Sequence, residues 1–92
     1  MKGKSYKYLF LYSAVDEVAL RTYDSLMAFL KSLKISDYEV QLIDVKKEPG
    51  WLFKYNILAL PAAIQVTPGP GFVLTGDISI DDFSKAQPIA HA

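Results

Sequence analysis

Hydrophobic positions along this chain follow two rhythms, and each change of rhythm marks an element. Tyr6-Lys7-Tyr8-Leu9-Phe10-Leu11-Tyr12 is apolar and bulky at nearly every position. A run with both faces apolar predicts a strand covered on both sides, as in a parallel or mixed sheet. Ser13-Ala14-Val15-Asp16 then offers a capping box, and from there to Lys34 the period is helical. Val18, Thr22, Leu26, Phe29, Leu30 and Leu33 form its apolar stripe, flanked by Ala19, Tyr23 and Met27. After Ile35-Ser36-Asp37 breaks the period, Tyr38 to Val45 alternates at first and is apolar near its end, which predicts a second strand. Strand, long helix, strand is a β-α-β unit with parallel strands.

The second half reads in shorter pieces. Pro49 suits a first helical position, and Gly50 to Leu58 predicts a short helix with Trp51, Leu52, Tyr55 and Leu58 on its apolar side. Pro61-Ala62-Ala63-Ile64-Gln65-Val66 and Phe72-Val73-Leu74 are apolar runs joined by Thr67-Pro68-Gly69-Pro70-Gly71, a hairpin signal. Pro61 lacks a backbone donor, which places it at the start or edge of a sheet. Leu60-Pro61, an apolar residue and proline ahead of a buried strand, stands where thioredoxin-like folds have a cis peptide. Ser79-Ile80-Asp81-Asp82-Phe83 predicts a capped last turn of helix, with 83–92 a frayed tail around Pro88. The order β-α-β-α-β-β-α in a single domain over 1–92 is an α/β arrangement of thioredoxin-like type with a mixed sheet.

Composition removes whole classes of chemistry. The chain has no cysteine, so disulfides, iron–sulfur clusters, cysteine-ligated zinc and thiol catalysis are all excluded. Where a redox-active thioredoxin-like protein carries two cysteines, this chain has Ser13-Ala14-Val15-Asp16-Glu17. Its one histidine, His91, lies in the tail, so neither a zinc site nor a Ser-His pair can be assembled. Asp16, Glu17, Asp81 and Asp82 read as complements to helix dipoles rather than as a catalytic dyad. Basic and acidic residues balance at ten each, which gives no electrostatic footprint for nucleic acid. No apolar run is long enough to span a bilayer, and no signal-type segment follows Met1; the expected location is cytoplasmic. No cofactor, metal or catalytic residue is expected. Some of the six tyrosines are expected on the surface.

Four segments carry a resemblance: Leu9-Phe10-Leu11-Tyr12; Val40-Gln41-Leu42-Ile43-Asp44-Val45 followed by Pro49; Ile57-Leu58-Ala59-Leu60-Pro61; and Gly76-Asp77-Ile78-Ser79. Together they make the chain similar to the KaiB family, the fold-switching component of the bacterial circadian clock, from about Tyr6 to Ser79. The resemblance implies a non-enzymatic, fold-switching regulator acting through protein–protein contact. Family members rest as an oligomer in a fold of their own and switch to a thioredoxin-like monomer that docks on the clock ATPase KaiC. The same thioredoxin-like form occurs as the sensory domain of the kinase SasA. The resemblance therefore leaves open the resting fold, with its rearranged C-terminal half, and a homo-oligomer.

By that resemblance the switch segment holds Pro61, Pro68, Pro70, Gly76 and Asp77. Arg21 falls on a basic docking position, whereas Gln41 stands where the family has lysine, and Phe72 and Val73 where it has paired arginines. The chain thus resembles a divergent member, with Phe72-Val73 marking either a different partner surface or a self-association edge. The expected partner is a KaiC-like ATPase or a related signalling protein. The alternatives are the input domain of a SasA-type histidine kinase, or a redox-inactive thioredoxin-fold binding module unrelated to clocks.

Overall fold

Residues 6–34, 36–67 and 71–86 are described by the computed structural model. Its elements are β1 (Tyr6–Tyr12), α1 (Glu17–Ser32), β2 (Tyr38–Asp44), α2 (Gly50–Lys54), β3 (Ala62–Thr67), β4 (Val73–Thr75) and α3 (Ile80–Ala86). They build one four-stranded sheet in the order β2-β1-β3-β4. β1 and β2 run parallel in continuous register from Tyr6–Tyr38 to Tyr12–Asp44. β3 is antiparallel to β1, with one register shift between Lys7 and Tyr8, and β4 is antiparallel to β3. The mixed sheet and element order are those the hydrophobic pattern predicts.

The double-faced pattern of β1 has a direct cause. Tyr8 and Phe10 face a core closed by Leu26, Phe29 and Leu30 of α1 and by Phe83 of α3. Leu9 and Leu11 face a second core with Ile43, Ile57 and Ile64, against which Trp51, Leu52 and Tyr55 pack. Successive strand side chains point to opposite faces, so a central strand between two helical layers must be apolar throughout. Phe29 and Phe83 stack at 5.5 Å, which ties α3 to α1. All six tyrosines are buried or half-buried, because their rings supply much of this small core.

Several boundaries differ from the sequence expectations. Asp16 itself is the N-cap of α1, accepting the Ala19 N–H at 2.9 Å, so the cap begins three residues later than a Ser13 capping box would. α2 stops at Lys54 rather than Leu58. Asn56 adopts a left-handed conformation (φ 55°), Asn56 N–H donates to Phe53 O, and Ile57 N–H donates to Leu52 O at 2.8 Å. This is a Schellman termination, which frees Ile57 to turn into the second core. Leu58 consequently lies 91% exposed instead of on an apolar helix face. The last strand starts at Val73, one residue after Phe72.

The tail expected to fray from residue 83 is helical to Ala86, and Phe83 is fully buried. Ser79 and Asp82 cap this helix reciprocally: Ser79 N–H donates to Asp82 Oδ2 at 3.0 Å, and Asp82 N–H to Ser79 Oγ at 3.1 Å. Pro68, Pro70, Pro88 and His91 lie outside the described residues.

Candidate functional site

The residues singled out on the switch segment and on the first helix meet at one place. The Leu60–Pro61 peptide is cis, and Pro61 O accepts the Gly76 N–H at 2.8 Å. Gly76 has φ 90°, a conformation that side-chain-bearing residues rarely adopt. That turn delivers Asp77 to α1, where Arg21 Nε donates to Oδ1 at 3.2 Å and a terminal guanidinium nitrogen to Oδ2 at 2.8 Å. Two parallel charge-assisted bonds fix the carboxylate in plane with the guanidinium. Both side chains remain about half exposed, at 53% and 54%.

Thr22, the next residue of α1, completes the junction from inside. Its Oγ1 donates to Gly76 O at 3.4 Å and accepts the Ile78 N–H at 3.3 Å, and the side chain is fully buried. Sequence reasoning placed Thr22 in the apolar stripe and missed this role. The available signal was a hydroxyl in the middle of an otherwise apolar face, where a buried polar group needs a partner. Arg21, Thr22, Pro61, Gly76 and Asp77 therefore form a latch that joins the β4–α3 segment to α1 and to the start of β3.

The latch is electrostatically self-consistent. The Arg21 hydrogen bond holds the Asp77 carboxyl below its ordinary value, assisted by the guanidinium charge and opposed by partial burial. Arg21 is raised in turn, first by its hydrogen bond to Asp77 and then by the carboxylate charge. Both groups thus keep their charges across the neutral range.

The remaining named residues do not join this cluster. Gln41 lies on β2, at one edge of the sheet, while Val73 lies on β4 at the other, with β1 and β3 between them. Phe72 is half-buried, its ring 6.2 Å from that of Tyr8 and 6.3 Å from that of Phe83, whereas Val73 is 45% exposed. Phe72 packs into the core and leaves Val73 as the more accessible of the two.

At the mouth of α1, Tyr12, Ser13, Ala14, Asp16, Leu60 and Pro61 enclose a cavity of only ≈ 30 Å³. Asp16 there is already committed to its cap, and no thiol is present. Among the described residues no group of histidine, aspartate and glutamate could hold a metal ion, and no helix is long and apolar enough to cross a membrane.

Comparison with known proteins places these features in a family. Residues 11–88 match the KaiB domain. The chain is 32% identical over 62 residues to the adaptive-response sensory kinase SasA of Microcystis aeruginosa, a match covering 65% of this chain and 16% of that protein. In fold it is similar to the N-terminal domain of Synechococcus elongatus SasA, with a TM-score of 0.78 and 16% identity over 92% of this chain and 81% of that one. It is also similar to mitochondrial thioredoxin 3 of Saccharomyces cerevisiae, with a TM-score of 0.68 and 12% identity over 90% and 77% of the two chains. The thioredoxin-like architecture is thereby established, and the match over residues 11–88 makes this chain a member of the KaiB domain family.

Proposed function

We propose that this chain is a regulatory protein–protein interaction domain of KaiB type that performs no catalysis and docks on a KaiC-like ATPase. The observation that carries the reading is a KaiB-family chain in a thioredoxin-like fold whose thiol position holds Ser13 to Glu17 and no cysteine. A scaffold without a reactive group acts through its surfaces. Arg21 is the docking cation of this proposal, half-exposed on α1 and oriented by Asp77. Gln41 and Val73 lie on the two sheet edges, in register with Leu9 and Ile64 and so on the face away from α1; they replace cations of the family pattern with neutral groups, so the partner surface is less acidic than one recognised by a more basic member. Pro61, Pro68, Pro70, Gly76 and Asp77 belong to the segment through which a fold switch would act.

A second reading has its own support: the 32% identity to a sensory kinase favours an input domain of a signalling kinase. The test is a titration of the purified chain with a purified KaiC-like ATPase, followed by fluorescence anisotropy. Saturable binding weakened at least tenfold by Arg21→Glu, but not by Asp77→Asn, supports docking through Arg21. Absence of binding, together with a continuous reading frame into a kinase core, overturns it in favour of the second reading.

A further inference from the structure

An apolar groove lies apart from the latch, on the side of the sheet that α1 covers. Phe10 and Tyr12 of β1, Leu42 of β2, Val15 ahead of α1, and Leu20 and Tyr23 on it line a space of ≈ 270 Å³. Its floor is aromatic: Tyr23 meets the Phe10 ring edge-on at 5.6 Å, and Phe10 and Tyr12 stack at 6.3 Å. Val15, Leu20 and Leu42, each more than half exposed, stand at its rim. Single exposed apolar residues are ordinary, but three around one concavity form a patch of the kind that marks an interaction site.

Each rim residue has a carboxylate at its side. Asp16, the N-cap of α1, follows Val15. Glu17 and Asp24 lie one helical turn to either side of Leu20. Asp44 is in register with Tyr12 and shares the face of Leu42, two residues before it on β2. Asp16, Glu17 and Asp24 are exposed, and Asp44 is half-buried. Over residues 15–24 and 38–44 the sequence has one cation, Arg21, and that is tied to Asp77. Lys46 and Lys47, next along the chain, sit in the turn that leads to α2 on the opposite side of the sheet. A chain that is neutral as a whole thus surrounds this groove with negative charge.

We propose that this groove receives a short segment of a partner protein that carries a large apolar side chain with lysine or arginine on either side. The volume equals that of about nine waters at liquid density, room for one or two large side chains. The inserted side chain covers Val15, Leu20 and Leu42 and displaces water that rings and hydrocarbon hold poorly. A single buried anchor of this kind can carry most of the energy of an interface. The flanking cations meet Asp16, Glu17, Asp24 and Asp44, which steers the encounter and rejects acidic competitors. Arg21, by contrast, suits an anionic group, so the proposed docking through Arg21 and this contact are independent.

The probes are two fluorescein-labelled heptapeptides with leucine-tryptophan-leucine at the centre, one with two lysines at each end and the other with two glutamates. Fluorescence anisotropy should show saturable binding of the basic peptide, at least tenfold tighter than the acidic one. That gap should narrow as salt is raised. Leu20→Ser combined with Leu42→Ser should weaken the basic peptide at least tenfold; should the pair fail to fold by circular dichroism, Leu20→Ser alone replaces it. Glu17→Gln with Asp24→Asn should weaken it severalfold and flatten the salt dependence. Phe53→Ser removes an equally exposed ring from α2, on the far side of the sheet, and should leave binding unchanged. No saturation by the basic peptide up to about 1 mM overturns the proposal, as do equal affinities for the two peptides. So does a folded rim variant that binds undiminished, an unchanged salt dependence without Glu17 and Asp24, or a loss that Phe53→Ser shares. No ATPase enters this titration, so its failure leaves docking through Arg21 standing.

Discussion

Arg21 grips both carboxylate oxygens of Asp77 across 56 residues of sequence. The pair fastens the β4–α3 segment to α1 from outside, while Thr22 does so from within. Because Asp77 is held below its ordinary carboxylate value, the folded state binds its proton less readily than the unfolded state does. The resulting stability is complete above the ordinary value and is lost as pH falls through the depressed one. We expect the difference in urea midpoint between wild type and Asp77→Asn to be greatest at neutral pH and to narrow on acidification. Half-exposed pairs are screened, so added salt should narrow it as well. A difference independent of both pH and salt would show that the carboxylate's charge is not what holds the segment.

Thr22→Val separates the hydroxyl from the packing. The substitution keeps the side-chain shape but leaves the Ile78 N–H, on a residue only 2% exposed, without its acceptor. Leaving a buried donor unsatisfied costs roughly 1–3 kcal/mol, which for a chain of this size lowers Tm by roughly 4–20 °C. Thermal unfolding by circular dichroism measures it. Thr22→Ser, which keeps the hydroxyl and loses only a methyl group, should recover part of the loss.

Much of this architecture is written locally. The apolar run of β1 declares two covered faces, the Ser79–Asp82 spacing announces a capping box, and the apolar-proline step marks the start of β3. Arg21, Pro61, Gly76 and Asp77 were each legible one at a time, but their convergence was not, because the partners lie on separate elements and no periodicity links them. The end of α2 was misread for the opposite reason. Trp51, Leu52, Tyr55 and Leu58 satisfy a helical period, yet the local backbone turns at Asn56. Asparagine is one of the few residues that takes a left-handed C-terminal position readily, and that was the signal to weigh against the period. The family resemblance makes Phe72 part of a partner surface or self-association edge, and the structure turns its ring toward Tyr8 and Phe83.

Lys34 offers a way to raise stability away from the latch. It follows the C-cap residue Leu33, has φ 57°, and donates its N–H to Lys31 O at 3.0 Å. A left-handed conformation costs a residue with a side chain roughly 1–2 kcal/mol, and glycine adopts it without that penalty. Lys34→Gly should therefore shift the urea midpoint upward by the equivalent of about 1 kcal/mol at unchanged slope. Asn56→Gly, at the corresponding position of α2, should gain less, because asparagine already tolerates this conformation. A downward shift for Lys34→Gly would mean that the flexibility added to the unfolded chain outweighs the relief of strain.

Tyr8 provides the alkaline counterpart to Asp77. Its side chain is fully buried on β1, and its hydroxyl donates to Gln65 Oε1 at 2.9 Å. Burial, with a smaller contribution from the neighbouring Tyr6, raises its pKa to about 12. Between the ordinary tyrosine value and that raised value, the unfolded chain has released this proton and the folded chain has not. The folded state binds more protons there, so stability falls as pH rises. The contribution is intact below the ordinary value, near 10, and gone above about 12. Ultraviolet titration of tyrosine absorbance should show one late phenol whose ionisation coincides with loss of the far-ultraviolet dichroism, and Tyr8→Phe should abolish that late step. If the last phenol to titrate in the folded chain were still present in Tyr8→Phe, the alkaline limit would belong to another ring.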